Sequence, residues 1–243
     1  MSHSRWRRMP ALLLLPTAVA GAAAGLGGCG GSGGSGGRAA VPVQSGTSAQ
    51  ARPFASVKLR GALLARVNGV PAAVPAESGN YASLPEVQAA KQSRQGVSVT
   101  PKACAQAALT GFNSAVLASA PAAAITFRVG ANGVSEVLVA AQDPAAAGAL
   151  GSRVPAMCEH YAATVDGKTF QYAVRQSTVS GIGQEARMLN VTTAGYPADD
   201  VWSLVYRGTG FVGAVTVVGP NASEVAVREL GQQAYAYAAK SLA

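Results

Sequence analysis

VWSLVYRGTGFVGAVTVV, residues 201–218, decides the fold. Trp202, Leu204 and Tyr206 alternate with Ser203, Val205 and Arg207, the period of a strand with two distinct faces. Gly208-Thr209-Gly210 breaks the run, and Phe211, Gly213, Val215 and Val217 resume it. The stretch therefore reads as two antiparallel strands joined by a turn.

Working outward, residues 186–193 form a further strand. Val165-Asp166-Gly167-Lys168 supplies the positive φ values that a type I′ hairpin turn requires. Phe170, Tyr172 and Val174 then alternate with Gln171, Ala173 and Arg175. Earlier, Ile125, Phe127 and Val129 alternate up to a Gly130-Ala131-Asn132-Gly133 turn, and Val137 and Val139 return.

Helices fall before, between and after these strands. Leu59 and Leu63 share a face in SVKLRGALLAR, residues 56–66. The Pro- and Gly-rich residues 69–100 form a connection with a helical turn at Pro85 to Gln92. Thr100-Pro101 has the chemistry of a helix start, with a stripe of Cys104, Ala108, Phe112 and Val116 running toward Ser119 and Pro121 as the stop. Asp143-Pro144 opens another helix by the same logic, broken near Gly151 and Pro155 and carrying Cys158 near its end. Asn221-Ala222-Ser223-Glu224 has capping-box spacing, with Asn221 as the cap of a last helix bearing Val227, Leu230, Ala234, Tyr237 and Ala238. The fold class expected is α+β: an antiparallel β-sheet meander flanked by helices, with one disulfide.

The N-terminal end carries a different message. Arg5, Arg7 and Arg8 precede an uncharged run from Ala11 to Gly28 that starts with four leucines and ends Leu26-Gly27-Gly28-Cys29. A basic start, an apolar stretch and small residues before a cut define an export signal. Leu and two glycines ahead of Cys29 resemble the bacterial lipobox, which implies diacylglyceryl transfer to the Cys29 thiol and cleavage before it. GGSGGSGG, residues 30–37, is a flexible tether. The expected layout is a signal peptide at 1–28, lipidated Cys29 and a tether at 29–54, and one folded domain at 55–243. Such a chain sits on the extracytoplasmic face of the cell membrane, held there by its lipid.

Charge follows the same division. The formal net charge is +8 for the 243 residues. Residues 30–102 hold eight basic side chains against Glu77 and Glu86, whereas residues 103–243 hold eight basic and nine acidic. The excess near the tether suits a solvated linker or attraction to anionic headgroups, at about 1 kcal/mol per charge. The near-neutral domain, without a nucleic-acid motif, argues against nucleic acid as a partner.

With Cys29 committed to lipid, Cys104 and Cys158 remain as a pair in an exported chain, where a structural disulfide is the default. Neither a metal site nor a cofactor is expected: His160 is the one histidine outside the signal, and Cys158 with His160 is too few for zinc. His160, placed at the end of the Asp143 helix, is read as structural, and no catalytic set is expected. Gly181-Ile182-Gly183 is read as a connection. If a ligand cleft exists, Trp202, Tyr172, Tyr206 and Phe170 are its aromatic candidates. Arg175, Arg187 and Arg207, on positions opposite the aromatic face, are its polar ones, and the ligand-binding set is Arg175, Arg187, Trp202 and Arg207.

The order of elements and their landmarks resembles actinobacterial extracellular sensor-like domains, those of PknH-type serine/threonine kinases and of free lipoproteins of the same build. Leu59, Leu63 and Leu64 in an opening helix carry the resemblance, with Thr100-Pro101-Lys102-Ala103-Cys104, Cys158 after the Asp143 helix, the strand pair around 201–218 and the closing helix. It covers roughly residues 55–242. It implies an α+β domain with a disulfide and a ligand cleft. The chain has no kinase domain, and one disulfide where two are expected in the kinase's domain. The functional expectation is a non-enzymatic, sensor-like ligand-binding lipoprotein; the alternative is a structural lipoprotein that binds an envelope protein.

Overall fold

The computed structural model describes residues 54–106, 117–151, 153–196 and 200–243. Residues 1–28, Cys29 and the tether up to residue 53 lie outside these, as do Ala108, Phe112 and Val116.

The chain opens with helix α1 (Ser56–Gly61), a two-residue hairpin of β1 (Arg66–Val67) and β2 (Val70–Pro71), and strand β3 (Glu77–Asn80). Helix α2 (Pro85–Ser93) and strand β4 (Ser98–Thr100) follow, then a 3-10 turn, Lys102–Gln106. The long hairpin is β5 (Pro121–Val129) with β6 (Asn132–Ala140). Helix α3 (Asp143–Gly151) and a 3-10 turn at Ala156–Cys158 lead to β7 (His160–Val165), β8 (Lys168–Val179) and β9 (Glu185–Thr193). Strands β10 (Val201–Gly208) and β11 (Phe211–Val218) precede the closing helix α4 (Glu224–Leu242).

Nine strands form one antiparallel sheet in the order β3-β5-β6-β11-β10-β9-β8-β7-β4. Residues 201–218 form the hairpin expected, and its register runs from Val201 opposite Val218 to Gly208 opposite Phe211. The β7–β8 turn has the positive φ values expected of type I′, 49° at Asp166 and 74° at Gly167.

Side chains directly across two paired strands share a face, so the register sorts the core into two layers. On one face Phe127, Val134, Leu138, Val215, Leu204, Met188 and Tyr206 pack under Leu59 of α1 and Val227, Leu230, Ala234 and Ala238 of α4. On the other, Ala122, Ala124, Val137, Val139, Val205 and Val212 pack under Leu84, Val87 of α2 and Ala146 and Leu150 of α3. A third cluster surrounds the disulfide: Cys104 and Cys158 with Tyr161, Ala163, Val174, Leu189 and Val191.

Four local expectations are corrected. Thr100 does not cap a helix; it ends β4, opposite Ala162 of β7, and the helical turn begins at Lys102. Sheet pairing has claimed the residue that local capping chemistry would have used. Cys158 is not on the Asp143 helix, which ends at Gly151, but in its own 3-10 turn. His160 is the first residue of β7 and so has no helix terminus to complement. Ser223, not Asn221, caps α4: its hydroxyl accepts from the Ala226 N–H at 3.2 Å.

Candidate functional site

The disulfide is where the cysteine count put it. Cys104 and Cys158 are joined at 2.05 Å, with both residues buried. Tyr161 and Tyr172 stack beside it at 5.0 Å between ring centroids. Arg94, which closes α2, is half-buried. Burial lowers its guanidinium to about 10, while the Tyr161 and Tyr81 phenols oppose that shift.

The register divides the expected ligand residues between the two faces. Trp202 on β10 and Arg175 on β8 both lie opposite Asn190 of β9, so these three form one row on the α4 side. Arg187 lies opposite Val205, and Arg207 opposite Glu185, on the other face. Arg207 reaches the Glu185 carboxylate at 3.9 Å. Burial lowers the Arg187 guanidinium, Glu185 opposes this, and the nearby charge of Arg153 lowers it further. The aromatic candidates are split too. Trp202 and Tyr206 are on the α4 side, while Phe170 and Tyr172 line up with Ala163 and Tyr161 on the disulfide side. One cleft cannot hold all of them.

The other motifs are absorbed by packing. Ile182 of Gly181-Ile182-Gly183 is buried in the core, which pins that connection down. The Asn190 amide donates to the Val201 carbonyl at 3.1 Å. His160 is exposed.

A pocket forms at the opposite end of the sheet, where edge strand β3 meets the start of α2. It encloses about 340 Å³. Glu77 of β3 is paired with Ala124 of β5, which puts its side chain on the α2 side of the sheet. Two residues on, Thr126 lies opposite Ser135 on that same face. Pro85 at the first position of α2 gives the helix a fixed entry, and this turns Glu86 down toward Ser135. Leu84 ahead of it has no side-chain oxygen to cap the helix; instead the Glu77 carboxylate accepts from the Glu86 N–H at 3.4 Å. Val74, Pro75, Pro85 and Ala89 supply apolar wall, and Glu77 and Glu86 the charge.

The electrostatics of the two acids follow from this enclosure. Burial raises the Glu86 carboxyl to about 7, the negative charge of Glu77 adds to the rise, and a hydrogen bond from Ser135 opposes it. Neither glutamate forms an ion pair among the described residues. Nor do the described residues contain a group of three acidic, His or Cys side chains able to hold a metal ion. Glu77 and Glu86 were not expected as site residues. Both sit in a Pro- and Gly-rich stretch, and only the pairing of β3 with β5 brings them together. Among the described residues, no helix is long and apolar enough to cross a membrane.

No protein-family model matches the chain, and no curated protein matches it. Among solved structures it is similar to the extracellular domain of PknH from Mycobacterium tuberculosis, with a TM-score of 0.51 at 13% identity over 79% of this chain and 97% of that one. A putative uncharacterized protein of Mycobacterium smegmatis, the Rv0999 ortholog, gives 0.39 at 19% identity over 60% of this chain and 77% of that one. The first likeness shows a shared fold; the second is too low to bear on the argument.

Proposed function

We propose that this chain is a cell-envelope lipoprotein, anchored through Cys29 on the extracytoplasmic face, whose sensor-like domain binds a small ligand without transforming it. The observation that carries this reading is the fold. The chain follows almost the whole length of an extracellular domain that belongs to PknH. An export signal ending at a lipobox-like Cys29 and a disulfide, a bond suited to oxidising compartments, point the same way.

The binding role rests on the pocket between β3 and α2, a concave apolar site with a few polar groups at the lower end of the size range for small-molecule sites. No reaction is assigned to it. His160 lies on β7, with β6, β11, β10, β9 and β8 between it and β5. Among the described residues, the two carboxylates therefore have no histidine to work with.

The test is a native mass spectrum of the full chain, extracted from its own envelope in mild detergent. A protein heavier than its processed sequence by a lipid group, and carrying a further small molecule, supports the reading. A lipidated protein of otherwise bare mass that crosslinks in cells to one envelope protein would replace it with a partner-binding role. A Cys29→Ala chain should lose the lipid mass.

A further inference from the structure

Building on that ligand-binding reading, we propose that the β3–α2 pocket takes an organic cation: one or two ammonium groups on a short apolar body. The charged side chains of its lining are two carboxylates. Among the described residues, no lysine or arginine pairs with either. A carboxylate drawn out of water with no counter-charge is costly, and here burial beside Glu77 raises the Glu86 carboxyl to about 7, which favours its protonated form. An ammonium group beside Glu77 and Glu86 would take over that role, donating to both carboxylates and releasing the proton as it binds. Val74, Pro75, Pro85 and Ala89 offer a surface for methylene groups.

The composition of the site selects against two other classes. An anion would meet the negative charge of Glu77 beside a second carboxyl group. Calcium would make no use of the apolar wall of Val74, Pro75, Pro85 and Ala89, and among the described residues no third acidic side chain joins Glu77 and Glu86 to hold it.

The experiment titrates the full chain, in detergent, with pentylamine and cadaverine, following heat and melting temperature. Pentanediol, glutarate and calcium chloride are the controls. The expected result is saturable binding of the amines and none of the controls, with proton release near neutral pH. Glu86→Gln should weaken amine binding by about tenfold or more, as expected for loss of a charge-assisted contact, and Glu77→Gln should also weaken it. Ala89→Trp, which leaves both charges and fills the wall, should block the site; it keeps the test valid if a Glu variant folds poorly. Amine binding unchanged in Glu86→Gln and Ala89→Trp would overturn the proposal. So would silence of both amines with a response to calcium chloride. Silence of the amines while the envelope-extracted chain carries a neutral or anionic small molecule would overturn the cation and leave the ligand-binding reading standing.

Discussion

The Glu136 carboxyl accepts, through Oε2, a 2.8 Å hydrogen bond from the backbone N–H of Leu64, tying the centre of the sheet to the segment that leaves α1. Glu136 is 1% exposed, and its Oε1 has no partner among the described residues. Burial raises the carboxyl to about 8, and the Leu64 bond opposes the rise. The buried Tyr206 hydroxyl, also without a partner among the described residues, is close enough for the two groups to sense each other's charge. A folded-state value above the unfolded one means that the contribution to stability is full below about pH 4.5 and is lost as pH rises through about 8. Glu136→Gln should remove that loss. In urea unfolding across this range, its advantage over wild type should grow with pH, by up to about 1.4 kcal/mol per pH unit. Parallel pH profiles for the two proteins would show that Glu136 is ionised in the fold.

Reducing the disulfide, or replacing Cys104 and Cys158 with serine, should lower stability by about 4 kcal/mol for a loop of 54 residues. The loss should appear first around the disulfide cluster. Hydrogen exchange should accelerate in β4 and β7 before it does in β10 and β11, whose core layers do not include the bond. Uniform acceleration across the sheet would contradict this.

Gly213 lies opposite Tyr206 on the α4 face, and a Cβ placed there would collide with the phenol ring. Gly213→Ala should therefore cost about 1–3 kcal/mol in chemical unfolding, the range for overpacking a core. Adding Tyr206→Leu should recover part of that cost. Strict additivity of the two substitutions would mean that the ring and the Cβ do not compete.

The two candidate caps of α4 are separable by substitution. Ser223→Ala should cost about 1 kcal/mol, because its hydroxyl serves the Ala226 N–H. Asn221→Ala should cost less, since at Asn221 it is the backbone N–H that is engaged, donating to the Asn132 side chain. The reverse order in a melting-temperature comparison would reassign the cap.

The sheet was legible wherever a strand carried its own turn. Asp166-Gly167 and residues 201–218 each bring both partners and the connection within a few residues, so local chemistry sets the pairing. The faces were not legible between strands. Alternation places Tyr172 against Arg175 within β8 and Trp202 against Arg207 within β10. It does not say that Tyr172 pairs with Thr193 while Trp202 pairs with Asn190, an odd step away on β9. That register sends the two aromatic rings to opposite sides and divides Arg175 from Arg187 and Arg207. The pocket was hidden for a related reason. ESGN, residues 77–80, has neither alternation nor β-branched residues, and it is a strand because β5 offers it an edge. Glu86 reads as an ordinary first-turn acid until β3 supplies Glu77 beside it.

The two helices on the α4 face also bring distant parts of the chain together, since the Lys58 ammonium donates to the Leu242 carbonyl at 3.2 Å and lies over the Phe54 ring. Phe54 and Leu242 thus lie at one pole of the described domain. A short linker from residue 243 back to residue 54, with new ends opened at the Asp166–Gly167 turn, would give a circular permutant that retains every strand pair. A fluorophore fused after Ala243 would report from the end of the domain that carries Phe54, whereas one inserted at that turn would report from the β7–β8 side of the sheet.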